Sequence, residues 1–154
     1  VLEIGPGLGV LTEALLAWML GQSAEHPAEV VAKARADISS GAMPVALLAK
    51  SEYLSMGPDA YRRKMEEGGK PRRASLEVAL RMSPAPRMGS RVSYYIAPKE
   101  KGRPGDWQRA RPLAEYDAEK SPYAPDYYLS KLDDWEKRFG AFYGSGCGQG
   151  ELEL

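Results

Sequence analysis

Residues 61–111 read YRRKMEEGGKPRRASLEVALRMSPAPRMGSRVSYYIAPKEKGRPGDWQRAR. The chain as a whole is neutral, with 21 basic and 21 acidic residues. This stretch is not: it holds fourteen Lys/Arg against five Asp/Glu, while residues 1–60 hold three against seven and residues 112–154 four against nine. A basic middle between acidic flanks is an electrostatic footprint whose usual partner is a phosphate backbone. A solvated face laced with ion pairs is the other reading of such a cluster.

The same stretch sets the local structure. Gly57-Pro58-Asp59 opens a helix, with Ser55 as its candidate cap. That helix carries Tyr61 and Met65 on one face and Arg62, Arg63 and Lys64 around the other. Gly68-Gly69 ends it. The loop Gly69-Lys70-Pro71-Arg72-Arg73 then leads into a second helix, Ala74 to Met82, with Leu76, Ala79 and Leu80 on its inner face. Arg72 and Arg73 thus stand at a helix N-terminus, where the helix dipole is also positive. An anion placed there would meet guanidinium forks, free backbone N–H groups and the dipole together. Arg91 to Ala97 alternates, with Val92, Tyr94 and Ile96 facing one way and Arg91, Ser93 and Tyr95 the other, which predicts a half-buried strand. Pro98 to Asp106 is a basic loop. Trp107 follows it, beside Arg103, Arg109 and Arg111, either as a base-stacking ring or as an anchor of the loop to the core.

Outward from the middle, Pro44 to Leu54 is a short apolar segment, extended or one helical turn. His26 to Ser40 reads as a helix with Pro27 in its first turn and Gly41 as its stop. Asp126 to Phe142 is a helix with Leu129, Leu132, Trp135, Phe139 and Phe142 as its apolar stripe. Pro112 to Pro125 is irregular. Residues 145–154 have the composition of a flexible tail. One cysteine, Cys147, and one histidine, His26, leave no disulfide framework and no thiolate- or imidazole-rich metal site. No run approaches the roughly 20 apolar residues that cross a bilayer, and no signal region opens the chain. These features predict a cytoplasmic protein.

Val1 to Leu16 reads VLEIGPGLGVLTEALL: an apolar strand, a turn at Gly5, Gly7 and Gly9, then a helix near Val10. The run LEIGPGLGVLT resembles motif I of S-adenosylmethionine-dependent methyltransferases, most closely the rRNA adenine dimethyltransferase branch. That resemblance implies a cofactor site lined by Glu3, Gly5, Gly7 and Gly9, and an alternative function as a truncated rRNA adenine methyltransferase. It stops after about residue 17. The second strand with a terminal acidic residue that such a site needs is absent, as is the family's later Asn-Pro-Pro-Tyr-type motif. The chain opens at Val1, without Met and inside a strand, and so reads as a fragment. Residues 1–25 are expected to pack poorly.

From about Val30 to Gly144 the chain resembles the C-terminal thumb region of family B DNA polymerases. The order of segments carries the likeness: PVALLAKSEYLS at 44–55, PRRASLEVALRM at 71–82, GSRVSYYIAPK at 89–99, RARPL at 109–113 and DYYLSKLDDWEKRF at 126–139. It implies a DNA-binding fragment that grips primer–template duplex through its phosphates, in replication or repair. The contacts it implies are Arg62, Arg63, Lys70, Arg72, Arg73 and Arg91, extended by Lys99, Lys101 and Arg103. The palm that holds Mg2+ and performs catalysis belongs to the remainder of the polymerase, because the carboxylate motif for two metal ions is not in this sequence. No catalytic or metal residue is assigned here. The expected fold is α+β and mainly α. It comprises a methyltransferase-motif-like strand–turn–helix remnant over 1–25, a helical thumb-like domain with one small β element over 26–144, and a flexible tail over 145–154.

Overall fold

In a computed structural model that describes residues 8–102 and 105–144, the chain forms helices α1 (Gly9–Met19), α2 (Pro27–Ser40) and α3 (Val45–Leu48), and strand β1 (Lys50–Tyr53). Helices α4 (Pro58–Glu66) and α5 (Ala74–Arg81), strand β2 (Arg91–Ile96), helix α6 (Asp106–Arg109) and strand β3 (Ala110–Pro112) come next. A 3₁₀ turn (Leu113–Glu115), helix α7 (Pro125–Phe139) and a second 3₁₀ turn (Gly140–Phe142) complete the order. Helix accounts for 53% of the described residues, so the class is α+β, mainly α. The chain divides into two compact units. One is built from the residues up to Leu47 and those from Pro125 onward; the other is Leu48–Ala124.

In the first unit α2 packs against both α1 and α7. His26 caps α2, its Nδ1 accepting from the Ala28 N–H at 3.1 Å, and Pro27 occupies the first turn, where its missing N–H leaves nothing unpaired. Gly41 ends the helix at φ +81°, and the Ala42 N–H reaches back to the Asp37 carbonyl at 2.8 Å. Helix α7 buries Tyr128, Leu132, Trp135 and Phe139, an interval of four, three and four that follows the 3.6-residue period. Phe142, expected in that stripe, is instead 56% exposed. The α-helix stops at Phe139; the tighter 3₁₀ turn rotates Phe142 outward and brings Tyr143 into the core.

The expectation that residues 1–25 pack poorly is corrected for the helical part. Leu8, Leu11, Thr12 and Leu15 are buried, and the Trp135 indole N–H donates to the Thr12 hydroxyl at 3.1 Å. The strand expected at Val1–Ile4 lies outside the described residues, as do residues 145–154.

The second unit holds the one small β element expected, a three-stranded antiparallel sheet in the order β1-β2-β3. Its register pairs Glu52 with Val92, Tyr53 with Arg91, and Tyr95 with Arg111. Helix α5 packs on all three strands. It lies on the face of Glu52 and Val92, since the Glu52 carboxylate is hydrogen-bonded by Ser75 in its first turn. Among the described residues the opposite face is covered at one end. There Tyr95 is fully buried, its hydroxyl at 2.7 Å from both the Ser121 carbonyl and hydroxyl oxygens, with Tyr116 edge-on to its ring. Burial therefore departs from strict alternation: the second half of β2 is enclosed on both sides, while Arg91 and Ser93 at its start keep one open side. Ser55 is not the cap of α4. Gly57 holds that position, without a side-chain cap, and Pro58 starts the helix.

Candidate nucleic-acid interface

All fourteen basic residues of the 61–111 stretch fall in the second unit. In sequence terms that unit carries sixteen Lys/Arg against ten Asp/Glu, and the first unit five against eleven. The charge segregation visible along the chain is therefore also a segregation between folded units.

The contact loop between α4 and α5 is built from its neighbours inward. Tyr61 is buried under α4, which leaves Arg62, Arg63 and Lys64 on the solvent side. Arg63 and Lys64 sit in the last turn, at the negative end of the helix dipole. Gly68 turns the chain at φ +81°, and Gly69 allows the close return: a Cβ there would stand 2.6 Å from the Lys64 carbonyl oxygen. The chain then runs out through Lys70 and Pro71 and re-enters a helix at Arg73, whose extended backbone is the N-cap of α5.

Three side chains hold this loop. The Arg73 N–H donates to the Tyr61 hydroxyl at 3.1 Å. Arg72 donates to Glu77 at 3.4 Å, and its guanidinium lies over the Trp107 ring, 4.9 Å from the centroid. Burial raises the Tyr61 phenol above its ordinary pKa, and the nearby Glu77 carboxylate adds to this. The phenol stays neutral and remains able to accept from Arg73. Glu77 also answers the positive end of α5 from within its first turn.

The Arg62–Asp59 pair is solvent-facing, whereas Glu77, the partner of Arg72, is only 16% exposed. Arg62 donates to Asp59 at 3.3 Å, with side chains 54% and 81% exposed, and Arg72 remains 43% exposed beside Glu77. An exposed pair such as Arg62–Asp59 is worth about 0–1 kcal/mol, weak enough to yield to a phosphate. Arg63 and Lys70 are exposed and make no ion pair with the other described residues. Beside the loop, an open cleft of about 380 Å³ between α5 and α6 is lined by Glu77, Leu80, Arg81, Trp107 and Gln108.

The expected residues do not all come together. Arg62, Arg63, Lys70, Arg72 and Arg73 share the α4–α5 corner. Arg91 begins β2 on the sheet face opposite α5, since it neighbours Val92 and side chains alternate along a strand. Lys99 and Lys101 are exposed on the loop after β2. Arg103 lies outside the described residues. Arg109 and Arg111, which follow Trp107 in the sequence, are buried and occupied structurally. The Arg109 Nε donates to the Ala97 carbonyl at 3.0 Å, and Arg111 donates to the Gln108 and Ala110 carbonyls and to Glu100. Burial, and then the charge of Arg81, lower the Arg111 pKa against the pull of Glu100. Trp107 serves as the shelf for Arg72, a pairing across 35 positions that no local pattern announces. On α7, Asp133 pairs with Arg35 at 2.9 Å, and Glu136 completes that cluster.

Of the residues resembling a methyltransferase loop, Glu3, Gly5 and Gly7 lie outside the described residues, and Gly9 is the first residue of α1. No described helix is long and apolar enough to cross a membrane.

No family model and no curated sequence matches the chain. Among solved structures it is similar to the family B DNA polymerase from the hyperthermophilic archaeon Pyrobaculum calidifontis, with a TM-score of 0.51 and 19% identity. The match covers 69% of this chain and 13% of that polymerase, so the chain spans a small part of the relative's length and the likeness is one of fold.

Proposed function

We propose that the second unit is a duplex-gripping element of a family B DNA polymerase, holding primer–template DNA through its phosphates during replication or repair. The observation that carries this is the Lys70–Arg73 loop. Tyr61, Glu77 and Trp107 hold it so that exposed guanidiniums gather at the N-terminus of α5. Arg62 and Arg63 extend the surface along α4, and Lys99 and Lys101 extend it on the loop after β2. The fold likeness and the positive balance of the unit support the same partner. Side chains of this type contact phosphates and set register without reading bases.

Polymerisation needs clustered carboxylates for two metal ions. Among the described residues no group of three or more His, Cys, Asp and Glu is placed to hold one. The residues present do not fit that metal pair, and no catalytic step is assigned to them; the palm of the parent enzyme is the second partner in this proposal.

The test is duplex binding by Arg72→Ala/Arg73→Ala beside a control, Lys33→Ala/Lys137→Ala, which removes two exposed cations of the first unit. The loop variant is expected to bind about 10-fold or more weakly at low salt and to lose up to about two phosphate contacts' worth of salt dependence. The control is expected to bind like the parent chain. Equal losses in both variants would mean that net charge alone, and not this loop, holds DNA.

A further inference from the structure

The open half of the sheet carries chemistry that duplex gripping does not use. Antiparallel register puts Tyr53 opposite Arg91 and Ser51 opposite Ser93, so all four side chains stand on one face. The two serine hydroxyls meet at 2.7 Å, which fixes that geometry. Tyr53 is 73% exposed, a high value for an aromatic ring on a strand. The Arg91 side chain beside it is exposed and forms no ion pair with the other described residues. Directly opposed side chains lie about 5 Å apart at Cβ. An unobstructed ring and an unpaired guanidinium are therefore held side by side, with hydroxyls one step along. Among the described residues β1 is an edge strand of the sheet.

We propose that this face binds single-stranded nucleic acid, and, resting on the duplex-gripping function proposed above, that its occupant is the unpaired extension of the template. Tyr53 stacks an unpaired base, Arg91 takes the adjoining phosphate, and Ser51 and Ser93 meet the sugar–phosphate chain. Bases inside a duplex have both faces covered by their neighbours and offer a ring nothing to stack on. Single strands expose them, and stacking on aromatic side chains along a cationic surface is how they are held without sequence preference. The positive balance of the second unit matches such a strand in sign. The α4–α5 corner and this ribbon then serve different parts of one substrate, from opposite sides of the same sheet.

The experiment measures affinity of the whole chain for three probes: a poly-thymidine oligonucleotide, a blunt duplex, and the same duplex with a long single-stranded extension. Tyr53→Ala is expected to weaken the oligonucleotide and the extended duplex roughly tenfold and to leave the blunt duplex unchanged. Tyr53→Phe, which keeps the ring, is expected to bind like the parent chain. Arg91→Ala is expected to flatten the oligonucleotide's salt slope by about 0.7. Circular dichroism melting of each variant checks the fold. The proposal is overturned if Tyr53→Ala binds the oligonucleotide as the parent does, if blunt and extended duplexes weaken equally, or if no oligonucleotide binding is found at low salt. Loss of blunt-duplex binding in Arg72→Ala/Arg73→Ala tests the α4–α5 corner separately, so either assignment can fail while the other stands.

Discussion

Trp135 and Thr12 illustrate what single side chains contribute. The indole N–H is fully buried, and its hydrogen-bond acceptor is a hydroxyl 123 positions away. Thr12→Val preserves shape and removes that acceptor, so it leaves a buried donor unpaired, a loss of about 1–3 kcal/mol. Urea unfolding of this variant should show a lowered midpoint by that amount. Glu52 gives a pH signature. Burial pushes its carboxyl up, but hydrogen bonds from Lys50 and Ser75, with the charges of Lys50 and Arg73, outweigh burial and hold it below the ordinary 4.5. A lowered folded value means that its contribution is complete above about pH 4.5 and disappears as pH falls through the folded value. Thermal melts between pH 6 and 3 should therefore fall less steeply for Glu52→Gln than for the parent chain; identical slopes would contradict the arrangement. At this scale the sequence reveals faces but not partners. Helical spacing puts Tyr61 inward, yet the use of its hydroxyl depends on Arg73, which a glycine turn returns to it.

Elements were legible where chemistry marks their ends. Helix α2 is bounded by His26-Pro27 and Gly41, and both ends stand where the residues place them. Gly41→Ala should cost about 1–2 kcal/mol, because the left-handed backbone at φ +81° opposes a Cβ although nothing crowds the site. A differential melt showing no loss would mean that this end of the helix relaxes. β2 was legible from its alternation. β1 was legible only in part, in a segment that reads as extended or one helical turn, and β3 was not: four residues of KSEY and three of ARP carry no apolar period, and β2 offers both edges for pairing. The enclosure of Tyr95 was equally hidden, since residues 116–123 read as irregular and polar. Phe142 was misplaced because a period describes a helix only as long as the helix lasts.

For the molecule as a whole, the central fact is a charge division that a neutral total conceals. Its location was readable from the order of residues. Its distribution over the surface was not, because pairing is a tertiary matter. Arg109 and Arg111 count as cations in the sequence and act as buried donors in the fold, Arg91 turns to the far face of the sheet, and Arg72 and Arg73 remain at the solvent-facing corner. The fold account and the partner account meet in the salt dependence of binding. Each phosphate contact contributes a slope of about −0.9 in log affinity against log salt. Fluorescence anisotropy of the parent chain with a blunt primer–template duplex, titrated from about 20 to 200 mM salt, should give a slope between about −2 and −4.5, the range set by two to five of the cations at the α4–α5 corner. A slope near zero, or no binding at the lowest salt, would contradict it.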